Sequence, residues 1–136
     1  MPSPEQILRQ VRPGRSVIGW SLERTQRTEL LRQFDPAYAQ VVADHVTLAA
    51  RVASATPLPP SVQAEAVGRI DDGAGVEALV VAIGGDTGRP DGSTYHITWS
   101  LAHGRKAKES NDVLAARPWE PLAQPIPLRL IPARWP

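Results

Sequence analysis

Hydrophobic and polar positions along this chain fall mostly into short runs of strand length. Val76 to Ile83 is the most apolar run and predicts a central strand. Ser16 to Leu22, the stretch around Asp44 to Ala49 within Val41 to Val52, Val62 to Ile70 and Thr94 to Leu101 predict further strands. The last three of these runs in order, Val62–Ile70, Val76–Ile83 and Thr94–Leu101, read as a meander, separated by turn signals at Asp71–Gly75 and Gly84–Gly92. Helical spacing is confined to three places. Ile7, Leu8 and Val11 mark a short helix from Pro4 to Val11, ended by Pro13-Gly14. Leu30, Leu31 and Phe34 mark a helix from Thr25 to Phe34, with Thr25, Thr28 and Glu29 as capping groups and Asp35-Pro36 as its stop. A short helix runs to Ala116, capped by Ser110, Asn111 and Asp112. Pro118 to Pro127 reads as broken by proline, and Ile126 to Ile131 as a final edge strand.

A length of 136 residues suits one domain with a proper core. The proline-rich Thr56 to Pro60 is therefore a loop and not a domain boundary, since neither half is large enough to fold alone. The whole of 1–136 is taken as a single domain, with 1–14 as a possible N-terminal extension. Net charge is +1, so no strong overall field draws the chain to long nucleic acid or to a membrane. Of 15 basic residues only Lys106 and Lys108 are lysines. Arginine is the better bidentate phosphate ligand, although a chain rich in Arg, Ala and Pro also follows from genome composition. With no cysteine, disulfides, thiolate catalysis and cysteine-ligated zinc are excluded. No stretch reads as a signal peptide or a membrane span, and the expected compartment is the cytoplasm.

Two short pieces read almost alike: His45-Val46-Thr47-Leu48 and His96-Ile97-Thr98-Trp99. In a strand, residues i and i+2 share a face. His45 with Thr47, and His96 with Thr98, then point one way, and their apolar neighbours point into a core. Of 3 histidines in the chain, 2 occupy this frame. A single strand histidine is usually structural; the matched pair favours catalysis. Two imidazoles and two hydroxyls suit a phosphate. One ring takes a proton, the other gives one, and the hydroxyls hold oxygens that gain charge.

The paired motifs, with Gly19-Trp20-Ser21-Leu22, Ala43-Asp44 before the first motif and Glu109 to Val113, resemble the 2H phosphoesterase superfamily, in particular its Swiss Army Knife RNA repair-like branch. The resemblance spans residues 16 to 115 and looks like a small bacterial member. It implies an α+β fold of bilobal form, with mostly antiparallel sheets around a central groove and helices outside. It implies a metal-independent phosphodiesterase acting on 2′,3′-cyclic phosphate RNA ends or on small cyclic or oligomeric nucleotides. His45 and His96 would be acid and base, in either order, and Thr47 and Thr98 would complete the catalytic set. The spacing from His45 to His96 is short for the superfamily, which implies an open groove, a smaller pocket or help from a partner chain.

Around this centre, Trp20, Arg105, Lys106 and Ser110 are candidate substrate contacts. Trp20 would stack on a base and the two cations would meet phosphate or ribose, while Ser110 serves first as a helix cap. Trp99 and Tyr95 are out of phase with His96 and belong to the core. A metal site from His45, His96, His103 and Asp44 is the competing arrangement, but Asp44 is expected on the opposite strand face from His45 and the spacing is loose. No cofactor is expected, and the glycines Gly84, Gly85 and Gly88 lack the Gly-Lys-Ser/Thr of a P-loop. A non-catalytic nucleotide- or RNA-end-binding module of the same fold, or an RNA end ligase running the reverse reaction, are the alternatives.

Overall fold

The computed structural model describes residues 3–4 and 13–136. The described chain runs β1 (Pro13–Leu22), α1 (Arg24–Gln33), β2 (Gln40–Val41), β3 (His45–Val52), β4 (Ala64–Asp71), β5 (Val76–Ile83), β6 (His96–Leu101), α2 (Glu109–Ala116), β7 (Glu120–Leu128) and β8 (Leu130–Trp135). The fold is α+β. Its strands form two antiparallel sheets, of order β3-β1-β8 and β2-β6-β5-β4-β7. The helix expected over Pro4 to Val11 falls, apart from Pro4, outside the described residues.

β5 is apolar at every position but Glu77 because both of its faces are covered. Leu79, Val81 and Ile83 enter the main core, and Val76, Ala78 and Val80 enter a second cluster with Val113 and Leu114 of α2. The main core is shared between the sheets: Ile18, Trp20 and Leu22 of β1 and Val46 and Leu48 of β3 pack with Ile97 and Trp99 of β6. Both motif strands thus place their apolar residues in one core, as the alternation predicts.

The sheets meet where the chain leaves β2. Val42 and Ala43 still donate to Trp99 O and Thr98 O of β6, both at 2.9 Å. One residue later Leu22 of β1 donates to Asp44 O, at 2.9 Å. Ala43, fully buried with φ of 44°, makes the turn between them. Gly19 lets β1 and β3 close up beside it, because a Cβ there would lie 2.1 Å from Val46 O.

Several boundaries differ from the sequence reading. The expected turn at Pro13-Gly14 is the start of β1, where Pro13 pairs with Val52. Pro118 to Pro127 is not a break: most of it is β7, which lies at the sheet edge, where a proline's missing N–H costs no ladder bond. The expected edge strand Ile126 to Ile131 is divided, ending β7 in one sheet and opening β8 in the other. The cap of α1 is Glu23, whose carboxylate accepts from the Thr25 and Gln26 N–H groups.

Candidate functional site

A groove of about 280 Å³ lies where β3, β6, the β5–β6 loop and the start of α2 converge. His45, Thr47, Thr98, Arg89, Asp91, Lys108 and Asn111 line it, with Val17 closing one side. His45 and Thr47 face away from Val46 and Leu48, which are fully or almost fully buried. Three of the four motif side chains therefore share this groove. His96 does not line the open space. It is 9% exposed and lies within the electrostatic reach of His45, Arg89 and Asp91.

Each imidazole is fixed through Nδ1. His45 Nδ1 is 3.0 Å from Asp44 Oδ2, and Arg24 Nη2 donates to the other oxygen, Oδ1, at 2.7 Å. Burial opposes ionisation of Asp44, but the bonds from Arg24 and His45 outweigh it and hold the carboxyl below its ordinary value. An ionised carboxylate only accepts, so Nδ1 of His45 carries the proton and Nε2 is the free position in the neutral ring. Asp44 reaches His45 because it precedes β3, where strand alternation does not apply. The expectation that it faces the other way is corrected by this contact.

His96 Nδ1 lies 2.8 Å from Thr94 O, a carbonyl that only accepts, so here too Nδ1 carries the proton. Burial, and then the charges of Arg89 and His45, push the His96 pKa down, against the Thr94 bond and Asp91, which raise it. The neutral ring is favoured. Thr98 Oγ1 is 2.9 Å from Ser110 Oγ and also donates to Ala107 O at 3.3 Å, so α2 sets its rotamer.

The candidate substrate contacts are redistributed. Trp20 is fully buried, donates its indole N–H to Pro60 O at 2.9 Å and meets Tyr95 edge-on. It is a core residue and has no face for a ligand. Arg105 binds Asp72, Glu109 and the Ala74 carbonyl, away from the groove lining. Lys106 is exposed and does not line the groove. Ser110, fully buried, sits behind Thr98; it does not cap α2, whose cap position is Lys108 without a side-chain bond. The cations at the groove are Arg89 and Lys108 instead.

Arg89 is the residue that sequence reasoning missed. It lies in the Gly84–Gly92 loop, its side chain is 9% exposed, and it holds three elements together. Its Nε donates to Ser93 Oγ at 2.7 Å and Asp91 Oδ1 at 3.2 Å, Nη1 to Thr47 O at 3.3 Å, and Nη2 to Asn111 Oδ1 at 2.8 Å. Five N–H groups and these partners leave two N–H groups without a partner among the described residues. Its one sequence signal is a lone arginine inside the glycine-rich turn Gly84–Gly92.

Among the described residues, no three His, Asp or Glu side chains gather as metal ligands, and His103 is exposed. No helix among them is long and apolar enough to cross a membrane. Comparison with protein-family models, with curated proteins and with solved structures finds no match to this chain.

Proposed function

We propose that this protein is a metal-independent phosphodiesterase of the 2H type, with a bilobal groove, acting on 2′,3′-cyclic phosphate RNA ends or small cyclic nucleotides. The observation that supports it most is one groove in which His45, Thr47 and Thr98 meet Arg89, with His96 close enough to feel the charge of both His45 and Arg89. The lining combines proton carriers with anion donors and holds one carboxylate that is already paired, Asp91 with Arg89 and Ser93.

The division of labour follows from the surroundings. His96, held neutral by burial, takes the proton through Nε2 from an attacking water that must reach it at the groove wall, where the residue is 9% exposed. The water oxygen bonds to phosphorus, one ring P–O bond breaks, and the leaving ribose oxygen takes a proton from the His45 imidazolium, whose Nδ1–H faces Asp44. The product is a phosphomonoester. Thr47, the two remaining N–H groups of Arg89 and Thr98, whose single hydroxyl proton must turn from Ala107 O to the ligand, stabilise the non-bridging oxygens, where charge builds up.

The test is turnover of 2′,3′-cyclic mononucleotides, cyclic dinucleotides and RNA with a cyclic phosphate end, all in EDTA. His45→Ala and His96→Ala each should lower kcat/KM by roughly 10²–10⁴ with the fold intact. Thr47→Ala and Thr98→Ala should cost about ten- to a hundredfold. Binding of these ligands without turnover would identify a sensing module instead, and activity that required added zinc, manganese or magnesium would replace this mechanism.

A further inference from the structure

Trp135 stands beside His45, with ring centroids 4.5 Å apart and planes at 44°. No local pattern links this tryptophan to His45, because it lies far along the chain, in β8. The sheet explains the meeting. On β1, Ser21 pairs with His45 of β3 and Ile131 of β8, Gly19 pairs with Thr47 and Ala133, and Val17 pairs with Trp135. These rows share the face turned away from Ile18, Trp20 and Leu22 of the core. Between the His45 row and the Trp135 row stand only Gly19 and Ala133, next to Thr47. No side chain larger than a methyl on β1 or β8 rises there, and the indole can lean across to the imidazole.

Three further observations distinguish this indole from a core residue. Trp20 and Trp99 are fully buried and donate their N–H groups to Pro60 O and Phe34 O. Trp135 is only half-buried, and its N–H has no protein partner among the described residues. Val17, its partner on β1, lines the groove. An aromatic surface thus flanks the histidine on the side away from Arg89 and Asn111.

We infer that Trp135 is the stacking platform for the nucleobase of the ligand, so that the base lies over β1 and β8 and the phosphate lies between His45 and Arg89. The inference rests on the phosphodiesterase reading for the identity of the phosphate, and it narrows the substrate to a phosphate ester carrying a base. Every base presents a π-face, so such a platform gives affinity with little sequence preference.

The experiment compares adenosine 2′,3′-cyclic phosphate with glycerol 1,2-cyclic phosphate, which has the ring ester but no base, in the full chain and in Trp135→Leu and Trp135→Phe. Trp135→Leu should lower kcat/KM for the adenosine ester about tenfold or more and change the glycerol ester less than about twofold. Trp135→Phe should restore most of the difference. Equal losses on both substrates would make Trp135 a positioning residue for His45 and overturn the platform, as would no loss on either. If the parent protein turns over neither ester, the phosphodiesterase reading fails, and the platform is judged by titration with adenosine 2′-phosphate. Quenching of indole fluorescence that disappears in Trp135→Phe supports it. Quenching that persists there, or that is absent from the parent, overturns it.

Discussion

Ala43 donates its backbone N–H to Thr98 O at 2.9 Å, two residues before His45 in the chain. This bond ties the end of one motif strand's approach to the middle of the other motif strand. It works only because Ala43 takes the left-handed conformation, with φ of 44°, while fully buried. Ala43→Val should therefore be costly. A branched side chain adds strain in that region and two methyl groups to a packed core, about 2–4 kcal/mol together. Urea unfolding measures it; an unchanged midpoint would show that the turn accepts another conformation.

Asp44 fixes the tautomer of His45, and its replacement should separate catalysis from stability. Asp44→Asn keeps the shape but offers an amide whose N–H₂ group can face Nδ1, which favours the tautomer with Nε2 protonated. Loss of a partner that orients a functional histidine costs about 10–100-fold. The carboxylate is 37% exposed and its partner Arg24 is 58% exposed, so the ion pair contributes at most about 1 kcal/mol to stability. The expected result is a fall in kcat with a melting temperature close to the parent's. A parental kcat would mean that Asp44 has no part in orienting the ring.

His96 gives stability a pH dependence of known sign. Its folded pKa lies below its unfolded value, chiefly through burial. Between the two values the unfolded chain binds more protons, so stability falls as pH drops from about 6.5 toward the folded value, and stays level below it. The ionised Asp44, Asp72 and Asp91 act in a lower window, since their folded pKa values lie below the ordinary carboxylate value: their contribution is present above it and is lost as pH falls through the folded values. Melting temperature against pH should slope downward as pH falls below about 6.5 in the parent, and less so in His96→Asn. Equal slopes in both proteins would place the titration elsewhere.

What the sequence made legible follows from which signals are local. Alternation along His45-Val46-Thr47-Leu48 and His96-Ile97-Thr98-Trp99 is a property of each strand by itself, and it placed Val46, Leu48, Ile97 and Trp99 in the core. The run Val76 to Ile83 was legible for the same reason. Trp20 was not, because Ile18, Trp20 and Leu22 alternate regularly into the core, but Val17 and Gly19 leave the other face of β1 without a clear polar signal to say which face is inside. Arg105 and Lys106 follow the second motif strand in sequence, yet they lie beyond its far end, beside the Asp71–Gly75 turn in the case of Arg105. Arg89 and Trp135 reach the motif residues only through loop closure and sheet order, which no local pattern encodes. Pro121, Pro125 and Pro127 argued against a strand until the sheet order made β7 an edge.

Arg89 combines a structural task with a binding task, and two substitutions separate them. Arg89→Lys keeps the charge, but one ammonium cannot reach Ser93, Asp91, Thr47 and Asn111 together. It should lower stability by about 1–2 kcal/mol, because the part-buried acceptors Ser93, Thr47 and Asn111 lose their donor. Asn111→Ala removes the bond to Nη2 and the exposed bond from Asn111 Nδ2 to Lys108 O, and should lower stability by about 1 kcal/mol, leaving the guanidinium in the groove. If the two remaining N–H groups of Arg89 grip phosphate oxygens, Arg89→Lys should weaken binding of a phosphomonoester product about tenfold or more, since charge-assisted bidentate bonds are the strong ones. Asn111→Ala should weaken it by less than about threefold, within the modest net value of one neutral hydrogen bond. Calorimetric titration of both variants with a nucleoside monophosphate, beside urea unfolding, provides the comparison. Losses of affinity that simply track the losses of stability would make Arg89 a strut between the β5–β6 loop, β3 and α2, and the anion would then be held by Lys108 and the threonines alone.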